Sequence, residues 1–133
     1  MERLFSNEFS FTGSGIEYTP PGWVRMGNVW HPLGFKVVTE DNISLGLRKN
    51  PTRLHFPVGE WVKMKRSELI LSKKDAGGIW SALNRGGANT LRQYMRNEKG
   101  VPARVYLAAI YNPIYANSYR VKSQGVMLLE ELG

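Results

Sequence analysis

The sequence predicts a single α+β domain: an antiparallel or mixed β-sheet of about five to seven strands, with one main helix over residues 88–99 packed on one face. Three observations predict it. Only the segment 77–100, GGIWSALNRGGANTLRQYMRNEKG, carries apolar residues at helical spacing, with Ala88, Leu91, Tyr94 and Met95 forming an inward stripe. Most of the rest alternates apolar and polar residues in short runs broken by Pro, Gly, Asn and Asp. The run RVYLAAIY (104–111) is apolar on both faces, as a strand covered on both sides must be, and is the candidate central strand.

Residues 1–34 read as a loop-rich N-terminal arm packed on the domain, and 35–133 as the α+β core. Phe5, Phe9 and Phe11 alternate and suggest an edge strand. Thr19-Pro20-Pro21-Gly22 and His31-Pro32-Leu33-Gly34 remove backbone donors and favour turns. Trp23 and Trp30 are costly to leave in water, so the arm is expected to be ordered, and a homodimer burying aromatic surface is expected.

From Phe35 the strand signals are regular. FKVVT (35–39), 43–47, 53–56, EWVKM (60–64) and SELILS (67–72) read as strands. Glu40-Asp41-Asn42, the basic turn Arg48-Lys49-Asn50-Pro51 and Pro57-Val58-Gly59 separate them. GIWSAL (78–83) is a brief strand feeding the helix. The helix is expected to start near Ala88 or Asn89, with Asn89 as cap, and to end at Lys99, where Gly100 suits a left-handed position. After 104–111, a turn is expected at Asn112-Pro113, a strand at 119–122, a turn at Ser123-Gln124-Gly125 and a closing strand at 126–132. The expected core is Val37, Leu69, Leu71, Leu91, Met95, Val105, Leu107, Ile110, Val121 and Leu128.

Composition narrows function. The chain has 133 residues and no cysteine, which excludes a disulfide scaffold, a thiolate metal site and a cysteine nucleophile. No apolar run reaches the roughly 18 residues of a membrane span, and no leader-like run follows Met1-Glu2-Arg3, so a cytoplasmic protein without a membrane partner is expected. The net charge is +7, and it is uneven: residues 1–34 carry −1 and residues 35–133 carry +8. Excess Lys and Arg favours phosphate polyanions through counterion release. The expected partner is therefore nucleic acid or another polyanion, bound without strong sequence specificity.

Two basic sets are candidates for that contact. Arg92, Arg96 and Lys99 are spaced to project from one side of the helix, with Arg85 just upstream. The competing reading is a solvated helix face with local partners such as Glu98. The second set is Trp61, Lys63 and Lys65, which alternation in EWVKMKR places on one side of a strand. A sheet face that offers rings to bases and cations to the backbone is how several single-strand binders work. Here the competing reading packs Trp61 beneath the N-terminal arm. Gly77-Gly78 and Gly86-Gly87 are candidate anion-binding turns, without the spacing of a phosphate-binding loop.

No catalytic motif, metal-ligand cluster or cofactor fingerprint is present. His31 and His55 are isolated, and Glu60, Glu130 and Glu131 are the acids placed near strand ends. The order of elements, strands, then one helix, then strands ending in Glu130-Glu131, loosely resembles compact ADP-ribosyltransferase-like domains. The resemblance implies a nucleotide-processing activity with Ser81 as the hydroxyl residue of a middle strand and Glu130 as the late glutamate. It leaves the first-strand residue without a clear counterpart, Lys36 being a poor match. A third reading is an accessory protein of a virus or mobile element that acts by binding another protein.

Overall fold

The computed structural model describes residues 1–45 and 53–133. The strand expected at 43–47 lies partly, and the basic turn expected at 48–51 wholly, outside the described residues. Among the described residues nine strands and one α-helix follow in the order β1 (Glu2–Leu4), β2 (Phe11–Gly13), β3 (Ile16–Tyr18), β4 (Trp23–Met26), β5 (Val29–Thr39), β6 (Trp61–Lys63), β7 (Ile79–Ala82), α1 (Arg85–Lys99), β8 (Ala103–Ala116) and β9 (Arg120–Glu131). Seven strands form one antiparallel sheet, and β2 and β3 pair separately as a hairpin. The segment expected to be a loop-rich arm thus contains four short strands and the start of β5, which runs through residue 34.

The long hairpin β8–β9 organises the sheet. Its turn is set by Asn117, whose Oδ1 accepts the N–H groups of Tyr119 and Arg120 at 2.8 and 3.0 Å. Neither turn expected inside these strands occurs. Asn112 adopts φ 49° and the register shifts between Pro113 and Tyr115, yet β8 continues to Ala116. β9 likewise runs unbroken through Ser123-Gln124-Gly125. The polar side chains there are satisfied internally: Asn112 Nδ2 donates to Gln124 Oε1 at 3.0 Å, and Gln124 Nε2 donates to the Met64 carbonyl at 3.0 Å. Local turn preference loses to a ladder in which Asn112 and Gln124 both find partners.

β5 pairs with β8 over Leu33–Thr39, β8 with β9, and β9 with β7. β7 returns to β5 through one register pair, Phe35 with Ala82. Four strands therefore close a cycle, joined at its weakest point by that single pair. β8 is covered on both faces. Tyr106, Ala108 and Ile110 pack with Val38, Phe56, Ile79, Val121, Val126 and Leu128. Leu107 and Ala109 pack with Val24, Leu33 and Met127, and Val105 packs with Val37 and Ala88. Residues 105–110 are all buried, as expected of a central strand.

The helix begins at Arg85, earlier than expected. Asn84, not Asn89, is the cap, and its side chain accepts the Gly87 N–H at 2.6 Å. Gly86 and Gly87 are helical residues of the first turn, where a strong cap offsets their poor propensity. Ala88 and Met95 are buried, Leu91 is half-buried, and Tyr94 faces solvent. Gly100 closes the helix at φ 65°, and its N–H donates to the Met95 carbonyl.

The strand expected at 67–72 is absent. Arg66–Glu68 forms a 3-10 turn, held by the Lys65 N–H donating to Glu68 Oε1 at 3.0 Å. Leu71, expected in the core, is 69% exposed, and Leu69 is only half-buried. At 53–56 there is no strand, only a bridge between Ile43 and His55. Among the described residues no helix is long and apolar enough to cross a membrane.

Candidate functional site

β6 adds to β9 with Trp61 opposite Met127 and Lys63 opposite Gly125. Trp61 is half-buried against the cluster of Val24, Leu33, Leu107, Ala109 and Met127. Its ring lies 5.0 Å from His31 and 5.9 Å from Tyr111. Lys63 is exposed, and its ammonium sits 3.8 Å from the centre of the Tyr111 ring and 5.7 Å from that of Trp61. Gly125 makes this possible, because a Cβ there would come within 2.7 Å of Lys63 Cγ. Burial, with a smaller contribution from Lys63, lowers the His31 pKa against an opposing backbone hydrogen bond at Ile110.

The structure thus brings Trp61 and Lys63 together and adds two rings that the sequence did not suggest. His31, Trp61 and Tyr111 come from β5, β6 and β8. A cleft of about 420 Å³ adjoins them, lined by Trp30, His31, Tyr111, Arg66 and Phe11 among others. Trp30 is 40% exposed, and the Arg25 guanidinium stands 5.8 Å from its ring centre. Lys65 is exposed at the entry to the 3-10 turn.

The helix set lies elsewhere. Arg85 donates to the Leu132 carbonyl at 2.8 Å, which ties α1 to the end of the chain. Arg92 is half-buried, Arg96 and Lys99 are exposed, and Lys99 reaches 6.0 Å from the Tyr94 ring centre. Val105, beneath the helix, and Tyr111, beneath Lys63, lie on the same side of β8 by alternation. They are six residues apart, about 20 Å along a strand. The two basic sets therefore sit towards opposite ends of β8 and do not touch. Gly77 has φ 79°, and a Cβ there would strike Ile70 at 2.4 Å, so its role is to let the chain pass close.

Basic residues divide into two kinds. Arg3, Arg25, Arg104 and Arg120 each hold a carboxylate, on Glu130, Glu2, Glu131 and Asp75 respectively. None of Lys63, Lys65, Arg85, Arg92, Arg96 and Lys99 forms an ion pair among the described residues.

A different feature lies between β5 and β7. There a cavity of about 320 Å³ is lined by Phe35, Lys36, Val37, Trp80, Ser81 and Leu91 among others. Lys36 and Ser81 of the ADP-ribosyltransferase-like layout both line it, while Glu130 does not. Glu130 is exposed and held by Arg3 at 2.6 Å, and Glu60 is exposed. Among the described residues no group of His, Asp and Glu is arranged to hold a metal ion.

The chain matches no protein family, no curated protein and no solved structure. What the molecule can do is therefore read from its geometry.

Proposed function

We propose that the protein binds nucleic acid without strong sequence specificity, through the aromatic and cationic face around Trp61. The observation that supports it most is the array of His31, Trp61 and Tyr111, with ring centres 5.0 and 5.9 Å apart and an unpaired lysine beside them. Rings anchored on their buried sides lose little freedom when a base stacks on them. Every base has a π-face, so such contacts are tolerant of sequence and are worth about 1–3 kcal/mol each. Lys63, Lys65 and Arg66 would neutralise phosphates beside the stacked bases, and Trp30 extends the face. Arg92, Arg96 and Lys99 form a second contact for a strand long enough to follow the sheet.

Unstacked bases fit this face better than a duplex, so single strands are the preferred ligand. In this reading the chain acts in the cytoplasm as one domain, with α1 on one face of the sheet. Exposed Phe5 and Phe9 are the surface for a homodimer, which light scattering at high micromolar concentration would reveal. The deciding experiment is a salt titration of binding to single-stranded and duplex DNA and RNA. The wild type is compared with Trp61→Ala, Lys63→Ala/Lys65→Ala and Arg92→Ala/Arg96→Ala. Steep salt dependence with tighter binding of single strands is expected. No binding at low salt, or binding unchanged in all three variants, refutes the reading.

A further inference from the structure

The cycle of strands has one weak joint. In the backbone ladder β7 pairs with β5 only at Phe35 and Ala82, and beyond that pair Ile79–Ser81 pair with β9. The gap between β5 and β7 is the cavity of about 320 Å³, at the lower end of the roughly 300–1,000 Å³ range of small-molecule sites. Phe35, Val37, Leu45, Leu54 and Leu91 make much of its wall apolar.

Two polar groups there are left with bonding capacity. Lys36 is 9% exposed, and its Nζ donates one hydrogen bond, to the Trp80 carbonyl at 2.7 Å. An ammonium has three donors, so two remain. Among the described residues the Phe56 ring centre, 5.4 Å away, is its only other partner, and no carboxylate pairs with Lys36. Ser81 is 3% exposed, and its Oγ has no hydrogen-bond partner. The pair Phe35–Ala82 sets Lys36 opposite Ser81 in register, so both groups belong to one stretch of the gap. An unpaired buried hydroxyl and an uncompensated buried ammonium are both unfavourable, and one ligand would relieve both.

We propose that this cavity binds a small organic monoanion, an apolar body carrying one carboxylate, with the carboxylate on Lys36 and Ser81. The charge count selects the class. Lys36 is the uncompensated cation of the lining, whereas Arg120 is held by Asp75 at 3.5 Å and lies 3.8 Å from the centre of the Trp80 ring. A phosphate dianion would bring one more negative charge than the cavity offsets. Two spare N–H donors and one hydroxyl match the two oxygens of a carboxylate. The apolar walls exclude a fully hydrated ion such as acetate as the best ligand. The site is independent of the Trp61 face, so either proposal can fail without the other.

The test uses phenylacetate, benzoate and hexanoate as probes, with phenylacetamide and phenyl phosphate as controls. Binding is measured by calorimetry and by the ¹³Cε signal of Lys36 in lysine-labelled protein. At least one carboxylate is expected to bind with one-to-one stoichiometry and to move the Lys36 titration midpoint upward. The amide should bind at least about tenfold more weakly, the scale of a lost charge-assisted hydrogen bond. Lys36→Met should abolish carboxylate binding and Ser81→Ala should weaken it several-fold, while Trp61→Ala leaves it unchanged. If Lys36→Met does not fold, the Lys36 signal of the wild type decides. The proposal is overturned if no carboxylate binds at millimolar concentration, or if the amide or phenyl phosphate binds as well. It is also overturned if the Lys36 signal ignores a bound carboxylate.

Discussion

Lys63 and Lys36 are the same side chain in opposite surroundings. Lys63 lies on an open face, its ammonium over Tyr111 and its charge available to solvent and to any passing phosphate. Lys36 points into a closed strand cycle, where burial pulls its pKa down to about 8. An exposed cation beside rings costs the fold almost nothing and suits a loose, salt-dependent contact. A buried ammonium without a carboxylate weakens the fold, and suits a ligand that arrives with the missing charge. The comparison separates two ways of recognising an anion, one by many screened contacts and one by a single desolvated contact.

The largest expected effect tests the buried half. Replacing a buried charge with an apolar side chain of similar length is often neutral or stabilising by about 1–4 kcal/mol, so Lys36→Met should raise the urea midpoint at neutral pH. The sign of the pH dependence follows from the same group. Between about pH 8 and pH 10.4 the unfolded chain holds the Lys36 proton and the native protein releases it, so wild-type stability should rise with pH across that window. Lys122 contributes in the same direction. It is fully buried, donates to the Lys74 and Ala76 carbonyls, and has its pKa lowered by burial and by Arg120, against a raising effect of Asp75. Tyr18 opposes above about pH 10, because burial keeps its hydroxyl protonated in the native protein. Urea midpoints at pH 7.5 and 9.5 should show a clear gain for the wild type and a smaller gain for Lys36→Met. An equal gain would mean that Lys36 is not held as described.

The open half is tested next. Trp61→Ala should weaken single-strand binding by about 1–3 kcal/mol, and Lys36→Met should leave it unchanged. A change in the second variant would merge the two regions into one site. A smaller effect ranks the basic sets. Lys63→Ala/Lys65→Ala should flatten the log–log salt slope for a single strand by about 0.7 per cation removed. Arg92→Ala/Arg96→Ala should do so only for strands long enough to cover about 20 Å of β8. Equal flattening on a very short oligonucleotide would place the helix at the centre of the interface. The smallest effect concerns the scaffold alone: Asn84→Ala should cost about 1 kcal/mol in thermal or urea unfolding, with binding intact. The same loss from Asn89→Ala would argue for the later helix start that the sequence suggests.

Several features were legible because they rest on local chemistry. The helical period at 88–99 yields the one α-helix among the described residues, and Gly100 ends it because a residue without a Cβ adopts the left-handed conformation without steric strain. RVYLAAIY is the buried central strand because it has no polar side to expose. Trp61 and Lys63 share a side because strand side chains alternate. Where the structure differs, one local signal yields to a partner on another strand and another yields to a nearer competitor. Asn112 and Gln124 look like turn residues, but they satisfy each other across two strands, and Asn84 outcompetes Asn89 because its side chain meets the free Gly87 N–H.

The sequence by itself determined the mixed architecture dominated by strands, the absence of thiol chemistry, the basic excess after residue 34 and the alternation that pairs Trp61 with Lys63. Only the tertiary structure decided which distant residues meet. His31, Trp61 and Tyr111 are separated by 30 and 50 positions, and they become neighbours only when β5, β6 and β8 take their places in the sheet. Nothing in the run FKVVT marks Lys36 as buried; its burial comes when β5 and β7 bond at one pair and leave a gap behind it. The physical reason is the same for both. Side-chain direction is a property of a few consecutive residues, whereas strand register and burial come from long-range pairing and packing across the whole sheet.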